Sequence, residues 1–334
     1  MRRYQLIGLM LTGLMTATLA QPTSGKLSGY LFGDYYMVSH HHNPAIKGMN
    51  GFWFRRVYFT YDQKTGERTA IRFRFEMNSP GDFQTANTLN PSVKDAFVQY
   101  TSGKVQYLLG LIPTPTWEGV ESLLGYRPIE KTPVDLWRMG NSRDSGIGIK
   151  ASFGKAQLYF VVGNGSHTQA ETNRGKAVYL SWLYPLNEQW VLEVYGDVYD
   201  RPADSDWRTL QGLLVYRTDR TKIGLQYSYQ DRQNQRDLAV FSVYAETQVA
   251  QHTRLFVRAD WLNNPVPDAD RISYFVLANT ARPRFYQVGI IYEVAKDFYL
   301  MPNVEWVTYA NPPGGGAKPK DAVFLKTTFY YLWR

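Results

Sequence analysis

The sequence predicts an all-β chain closed into a transmembrane, antiparallel up-and-down β-barrel of about sixteen strands, with a long third outer loop folded into its lumen. Three observations lead there. From Gly25 onward the recurring pattern is period-two alternation of apolar and polar residues, the mark of strands with two unlike faces. The joins between these segments are alternately short and long. Aromatic residues reach 15% of the chain (Tyr 25, Phe 17, Trp 9) although the mean hydropathy is −0.37. A membrane barrel needs such rings at its two interfaces and has no use for apolar helices.

The first twenty residues set the compartment. Arg2 and Arg3 precede an apolar run from Leu6 to Leu19, and Ala17, Thr18 and Ala20 lead to Gln21. That is the layout of a cleavable secretory signal, leaving 21–334 as a single barrel domain. The run is shorter than the ~20 residues of a spanning helix. The chain has no Cys, so neither disulfides nor a lipid-anchored N-terminus is expected. Formal charge is +8, or +6 once Arg2 and Arg3 are removed, and no basic cluster marks a nucleic-acid partner.

Strands are expected near 26–38, 51–62, 67–79, 92–101, 103–111, 143–152, 155–163, 175–184, 188–200, 206–217, 220–231, 236–248, 252–262, 283–295, 297–309 and 321–334. In 70–78, Ile71, Phe73, Phe75 and Met77 share one face and Arg72, Arg74, Glu76 and Asn78 the other. Leu225, Val257 and Val323 lie on equivalent apolar faces, with Lys222, Arg258 and Lys326 opposite. A soluble sandwich would also alternate, with its greasy faces inward. The connections decide: 40–50, 80–91, 112–142, 164–174, 201–205, 232–235, 263–282 and 310–320 fall at one end, opposite tight turns. Pro302 is the weak point, because proline is tolerated in a ladder only at edges or bulges.

A barrel of ~16 strands leaves an aqueous channel rather than a side-chain core. The segment 112–143 is the longest polar interruption and carries Glu118, Glu121, Arg127, Glu130, Lys131, Asp135, Arg138 and Arg143. We read it as a structureless loop that narrows the barrel, with Arg72, Arg74 and Glu76 on the facing wall. Two readings of Arg72 and Arg74 stay open: they guide anions, or Glu118, Glu121 or Glu130 neutralises them and latches the loop. A basic wall facing an acidic loop would set a transverse field across the constriction.

The basic lumen set (Arg56, Arg72, Arg74, Lys104, Lys150, Lys222, Arg254, Arg258, Lys326) is nearly balanced by Asp34, Glu76, Asp95, Asp144, Glu193, Asp197, Glu246, Asp260, Glu293 and Glu305. His40, His41 and His42 read as a solvated loop rather than a metal site, since adjacent residues on a strand face opposite ways. No nucleophile elbow is present and no cofactor is implied, so an enzyme is not expected.

The segments YLFGDYY (30–36), GFWFRRVYFTYD (51–62), RFRFEMNSPGDF (72–83), VKDAFVQY (93–100), LLGLIPTPTWE (108–118), GYRPIEKTPVDL (125–136), SRDSGIGIK (142–150) and VVGNG (161–165) resemble the phosphate-selective porin (porin O and P) family over roughly 25–185. The resemblance implies a sixteen-stranded, trimeric outer-membrane porin with an inward third loop and an anion path lined by Arg and Lys. Two departures matter. Arg334 follows the terminal Trp333, where many barrels end on an aromatic residue read by the barrel assembly machinery. A lysine ladder is also missing, so phosphate preference does not follow. The expected partners are therefore small hydrophilic or anionic solutes and outer-membrane lipid. The alternative is an outer-membrane barrel with a plugged lumen, acting as a phospholipase-like surface enzyme or adhesin.

Overall fold

The computed structural model describes residues 25–334 apart from 80, 87, 203 and 204; the expected signal segment 1–20 lies outside the described residues. The strands are β1 (Lys26–His40), β2 (Asn50–Lys64), β3 (Thr69–Asn78), β4 (Asn90–Ser102), β5 (Val105–Pro113), β6 (Arg143–Phe153), β7 (Ala156–Gly163) and β8 (Ala177–Pro185). They continue with β9 (Trp190–Tyr199), β10 (Trp207–Arg217), β11 (Thr221–Arg232), β12 (Leu238–Ala250), β13 (Thr253–Leu262), β14 (Pro283–Ala295), β15 (Phe298–Tyr309) and β16 (Ala322–Trp333). Each strand pairs antiparallel with its chain neighbours, and β1 pairs with β16, so the barrel closes and leaves no edge exposed. Every expected strand is present, with ends moved by a few residues. Pro302 sits inside β15: the β14–β15 ladder passes from Gly289↔Asn303 to Tyr292↔Leu300 around it without changing register.

The oily faces point outward. Phe73, Leu225 and Val257 are 43%, 39% and 48% exposed, whereas Arg258 and Asp260 are sealed inside. Aromatic pairs ring both ends of this belt. Toward the outer loops, Tyr35 meets Phe52 at 4.9 Å and Tyr286 meets Trp306 at 5.7 Å. Toward the short turns, Phe59 meets Trp333 at 5.4 Å and Trp182 meets Tyr184 at 5.4 Å. An apolar exterior between two aromatic girdles is what bilayer hydrocarbon requires of a barrel.

The segment 114–142 is not structureless. It folds into α1 (Pro115–Leu124) and α2 (Pro133–Leu136). Pro115 at N1 supplies helical φ at no hydrogen-bond cost, and Gly125 closes α1 in the left-handed conformation at φ 73. Trp117, Val120, Leu123 and Leu124 form its buried face. That spacing was readable in the sequence once Pro and Gly are taken as the helix bounds.

An arginine placed on the exterior tests the orientation of the wall. Val257→Arg, at mid-strand in β13, should destabilise the barrel by about 2–4 kcal/mol, and Leu27→Arg near a strand end by about 1 kcal/mol or less. Urea titration of folding into phospholipid vesicles measures both.

Candidate functional site: a lumen narrowed from one side

The inward faces of the strands meet the third loop from nearly all round the barrel, and its backbone carbonyls receive the contacts. Arg55 of β2 donates to the carbonyl of Ile129 (2.9 Å) and to that of Pro128. From β11, Lys222 reaches Leu124 O (3.1 Å), Gln230 reaches Met139 O (2.7 Å) and Arg232 reaches Arg138 O (2.9 Å). From β13, Arg258 reaches Lys131 O at 2.5 Å while Asp260 accepts the Trp137 indole N–H at 2.8 Å. The loop therefore lies inside the barrel, as expected. Irregular backbone at membrane depth persists only where protein satisfies its polar groups, and here wall side chains do so.

Charge pairing fixes the loop as well, in part by partners other than those expected. Lys326 of β16 stands between Glu130 of the loop (3.3 Å) and Glu305 of β15 (2.5 Å). Burial works against the charge on Glu130, but Lys326, then Arg55 and Lys131, outweigh it and hold its carboxyl below the usual range. Glu130 is 1% exposed, so it anchors the loop and does not face the lumen. Glu118 bonds Lys150 of β6 at 2.6 Å. Glu121 and Asp135 pair with the loop's own Arg127 at 3.2 and 3.5 Å.

None of the three loop glutamates reaches Arg72 or Arg74, which overturns the latch reading. Arg72 is bound to Asp62 of β2 at 2.7 Å, and Arg74 to Asp95 of β4 at 3.4 Å. Arg127 also places a cation on the loop side, so the simple field from basic wall to acidic loop is not what the residues form.

A cavity of about 840 Å³ runs from the outer loops down to Tyr30 and Tyr58. Arg56, Arg74, Lys94, Arg127, Lys131, Arg138, Arg143, Arg201 and Arg271 line it, against Glu121, Asp135, Asp200 and Asp268. Of the expected constriction residues, Arg74, Glu121, Arg127, Lys131, Arg138 and Arg143 meet there. Arg72, Glu76, Glu118 and Glu130 are not in its lining. Glu76 stands behind it, bridging Arg56 (3.4 Å) and Lys94 (3.1 Å). A second cavity, about 390 Å³, lies on the other side of α1 between Glu118, Lys150 and Glu193.

Two residues that period-two reading misplaces or misses owe their positions to β-bulges. The β1–β2 register steps from Phe32↔Arg56 to Gly33↔Phe54, which leaves Arg55 as the extra residue. The β3–β4 register steps from Arg74↔Asp95 to Phe75↔Val93, which does the same for Lys94. Both Arg55 and Arg56, and both Lys94 and Asp95, therefore turn inward. Bulges re-aim side chains in this way next to functional sites. The readable sign was a pair of adjacent charges inside an otherwise alternating strand, Arg55-Arg56 and Lys94-Asp95.

The His cluster splits: His41 is buried and donates through Nε2 to Val276 O at 2.8 Å, while His40 is exposed. Burial lowers the pKa of His41 and brings His42 to about 4, so both are neutral at ordinary pH. Burial also pushes the Lys131 ammonium down to about 8.

No family model matches the chain, and no curated protein matches it. Solved structures do. The anion-selective porin from Comamonas acidovorans is 14% identical with a TM-score of 0.65, over 93% of this chain and 99% of that one. OmpF of Salmonella typhi, in complex with daunomycin, is 11% identical at 0.66 over 92% and 97%. OmpT of Vibrio cholerae, an outer membrane protein in its trimer form, is 12% identical at 0.62 over 93% and 99%.

Removing the cation between two buried carboxylates should loosen the loop. Lys326→Met should cost about 3–5 kcal/mol, read as a lowered denaturation midpoint with the barrel strands retained. At identities this low the likenesses are those of fold: the chain is a transmembrane barrel of porin architecture.

Proposed function

We propose that the protein is an outer-membrane porin, not an enzyme, through which small hydrophilic solutes diffuse with a preference for anions. The observation that carries this reading is the basic excess along the large cavity, where Arg56, Arg74, Lys94, Arg127 and Arg143 converge at its inner end. The strand wall as a whole is near charge balance, but Asp34, Asp95, Asp144, Glu193, Asp260 and Glu305 are all 0–1% exposed and turned to protein partners. The basic residues in the cavity lining keep more contact with water than these carboxylates do. Such a ring favours anions without binding them tightly, which conduction requires.

The family resemblance makes phosphate and related oxyanions the first anions to test, without the lysine ladder that would specify phosphate. The trimer form of the Vibrio cholerae protein supports a homotrimer here, the N-terminal layout supports export through a cleaved signal, and the aromatic pattern of Tyr331 and Trp333 supports insertion by the barrel assembly machinery. The oily exterior supports outer-membrane lipid as the surrounding partner.

Purified protein in a planar bilayer should conduct in steps, with a reversal potential on the anion side in a salt gradient; absence of any conductance refutes the porin. Arg72→Ala with Arg74→Ala leaves Asp62 without its arginine and Asp95 paired to Arg143 alone. Each unit of charge exchanged is worth about 1 kcal/mol to an ion passing at ~4 Å in water, or roughly fivefold in its partitioning. The double variant should therefore move the reversal potential toward the cation limit.

Acidity gives an independent test. Lys131 is charged below its pKa of about 8 and neutral above it, so anion preference should decline as pH rises through that value. Lys131→Arg, which does not titrate there, should remove that step in reversal potentials measured across the range.

A further inference from the structure

The loop between β13 and β14, residues 263–282, also turns inward: Val266, Ala269, Phe275, Leu277 and Ala281 are fully buried. It crosses to the β1–β3 side of the mouth, where Val276 O accepts from His41 and the Tyr274 N–H donates to Gly81 O at 2.7 Å. Tyr274 is the point of closest engagement. Its hydroxyl donates to Arg55 O (2.8 Å), lies against Ser79 O, and accepts from Arg56 Nη1 at 2.9 Å. Its ring lies 5.8 Å from the Arg56 guanidinium and 5.7 Å from the Lys131 ammonium, whose Nζ donates to the neighbouring Ser273 O at 3.0 Å.

Arg56 belongs to the wall and Lys131 to the third loop, yet both meet the same ring. Tyr274 does so from a left-handed backbone, φ 69, a conformation unfavourable for so bulky a side chain and kept only where contacts over-determine it. Gly81 faces it: a Cβ there would come within 2.4 Å of the ring.

Resting on the porin reading, we propose that Tyr274 is a selectivity-positioning residue, holding Arg56 and Lys131 together at the cavity so that both cations face a passing anion. The hydroxyl fixes Arg56, and the ring with its adjoining backbone fixes Lys131. This assigns ion selectivity in part to the seventh outer loop, which the sequence offered only as a long connection.

Two variants test this in planar bilayers under a salt gradient. Tyr274→Phe keeps the ring and loses the hydroxyl, so the reversal potential should shift partway toward the cation side. Tyr274→Gly removes the ring as well and suits the left-handed backbone, so it relieves strain and should shift further. Heat-modifiable migration of each variant confirms a folded barrel. Wild-type reversal potentials in both variants overturn the proposal and leave the porin reading standing; wild-type protein that does not conduct removes both.

Discussion

The structure depends on one requirement: the carbonyls of a loop held at membrane depth must find donors, and the barrel wall supplies them. A buried carbonyl without a partner is costly, and no bilayer lipid can serve it. Arg55, Lys222, Gln230, Arg232 and Arg258 each donate to a carbonyl of the third loop. These are long, inward-facing side chains, and charge-assisted hydrogen bonds are the stronger kind. Much of the basic charge inside the barrel is therefore structural. Counting Arg and Lys on the lumen face gives no measure of what an ion meets.

That constraint separates what was legible in the sequence from what was not. The sixteen strands were legible because lipid outside and polar loop or water inside impose strict alternation, which a single sequence displays. The inward position of the third loop was legible from its length and charge. The partners of Glu118 and Glu130 were not, because pairing across a lumen depends on which strand lies opposite, and strand-to-loop distances leave no periodic trace. Arg55 and Lys94 escaped for a different reason: a bulge breaks the period on which the orientation of every neighbouring residue was judged. The loop helix α1 was missed although Pro115 and Gly125 bound it, since the mixed charges between them suggested irregular chain.

The lumen is also divided unequally. On the β12–β2 side, Trp137, Phe275, Phe285 and Phe324 pack at centroid separations of 5.1–6.5 Å, within a buried apolar cluster that includes Val134, Leu136 and Leu277. This part of the interior is a close-packed core like that of a soluble protein. Packing of that kind does not slide, because small gaps forfeit contact energy. The cavity with its cations lies on the other side, against β2–β4 and the outer loops beyond β7 and β9.

The two halves need each other. A close-packed core holds the loop against the wall, and that is what lets Arg127 from the loop share a cavity with Arg74 and Arg143 from the wall. The proposed conduction asks for cations that attract but do not trap, and cations already paired to Asp95, Glu76 or Glu121 suit that condition: each would offer an anion part of its hydrogen-bonding capacity while its partner limits the depth of the well. A bare ladder of arginines would attract more strongly and release more slowly. On the proposed porin reading, selectivity would follow from how the rigid side of the lumen distributes partners among the charges on the wet side, and the barrel's width would matter chiefly because it leaves room for both.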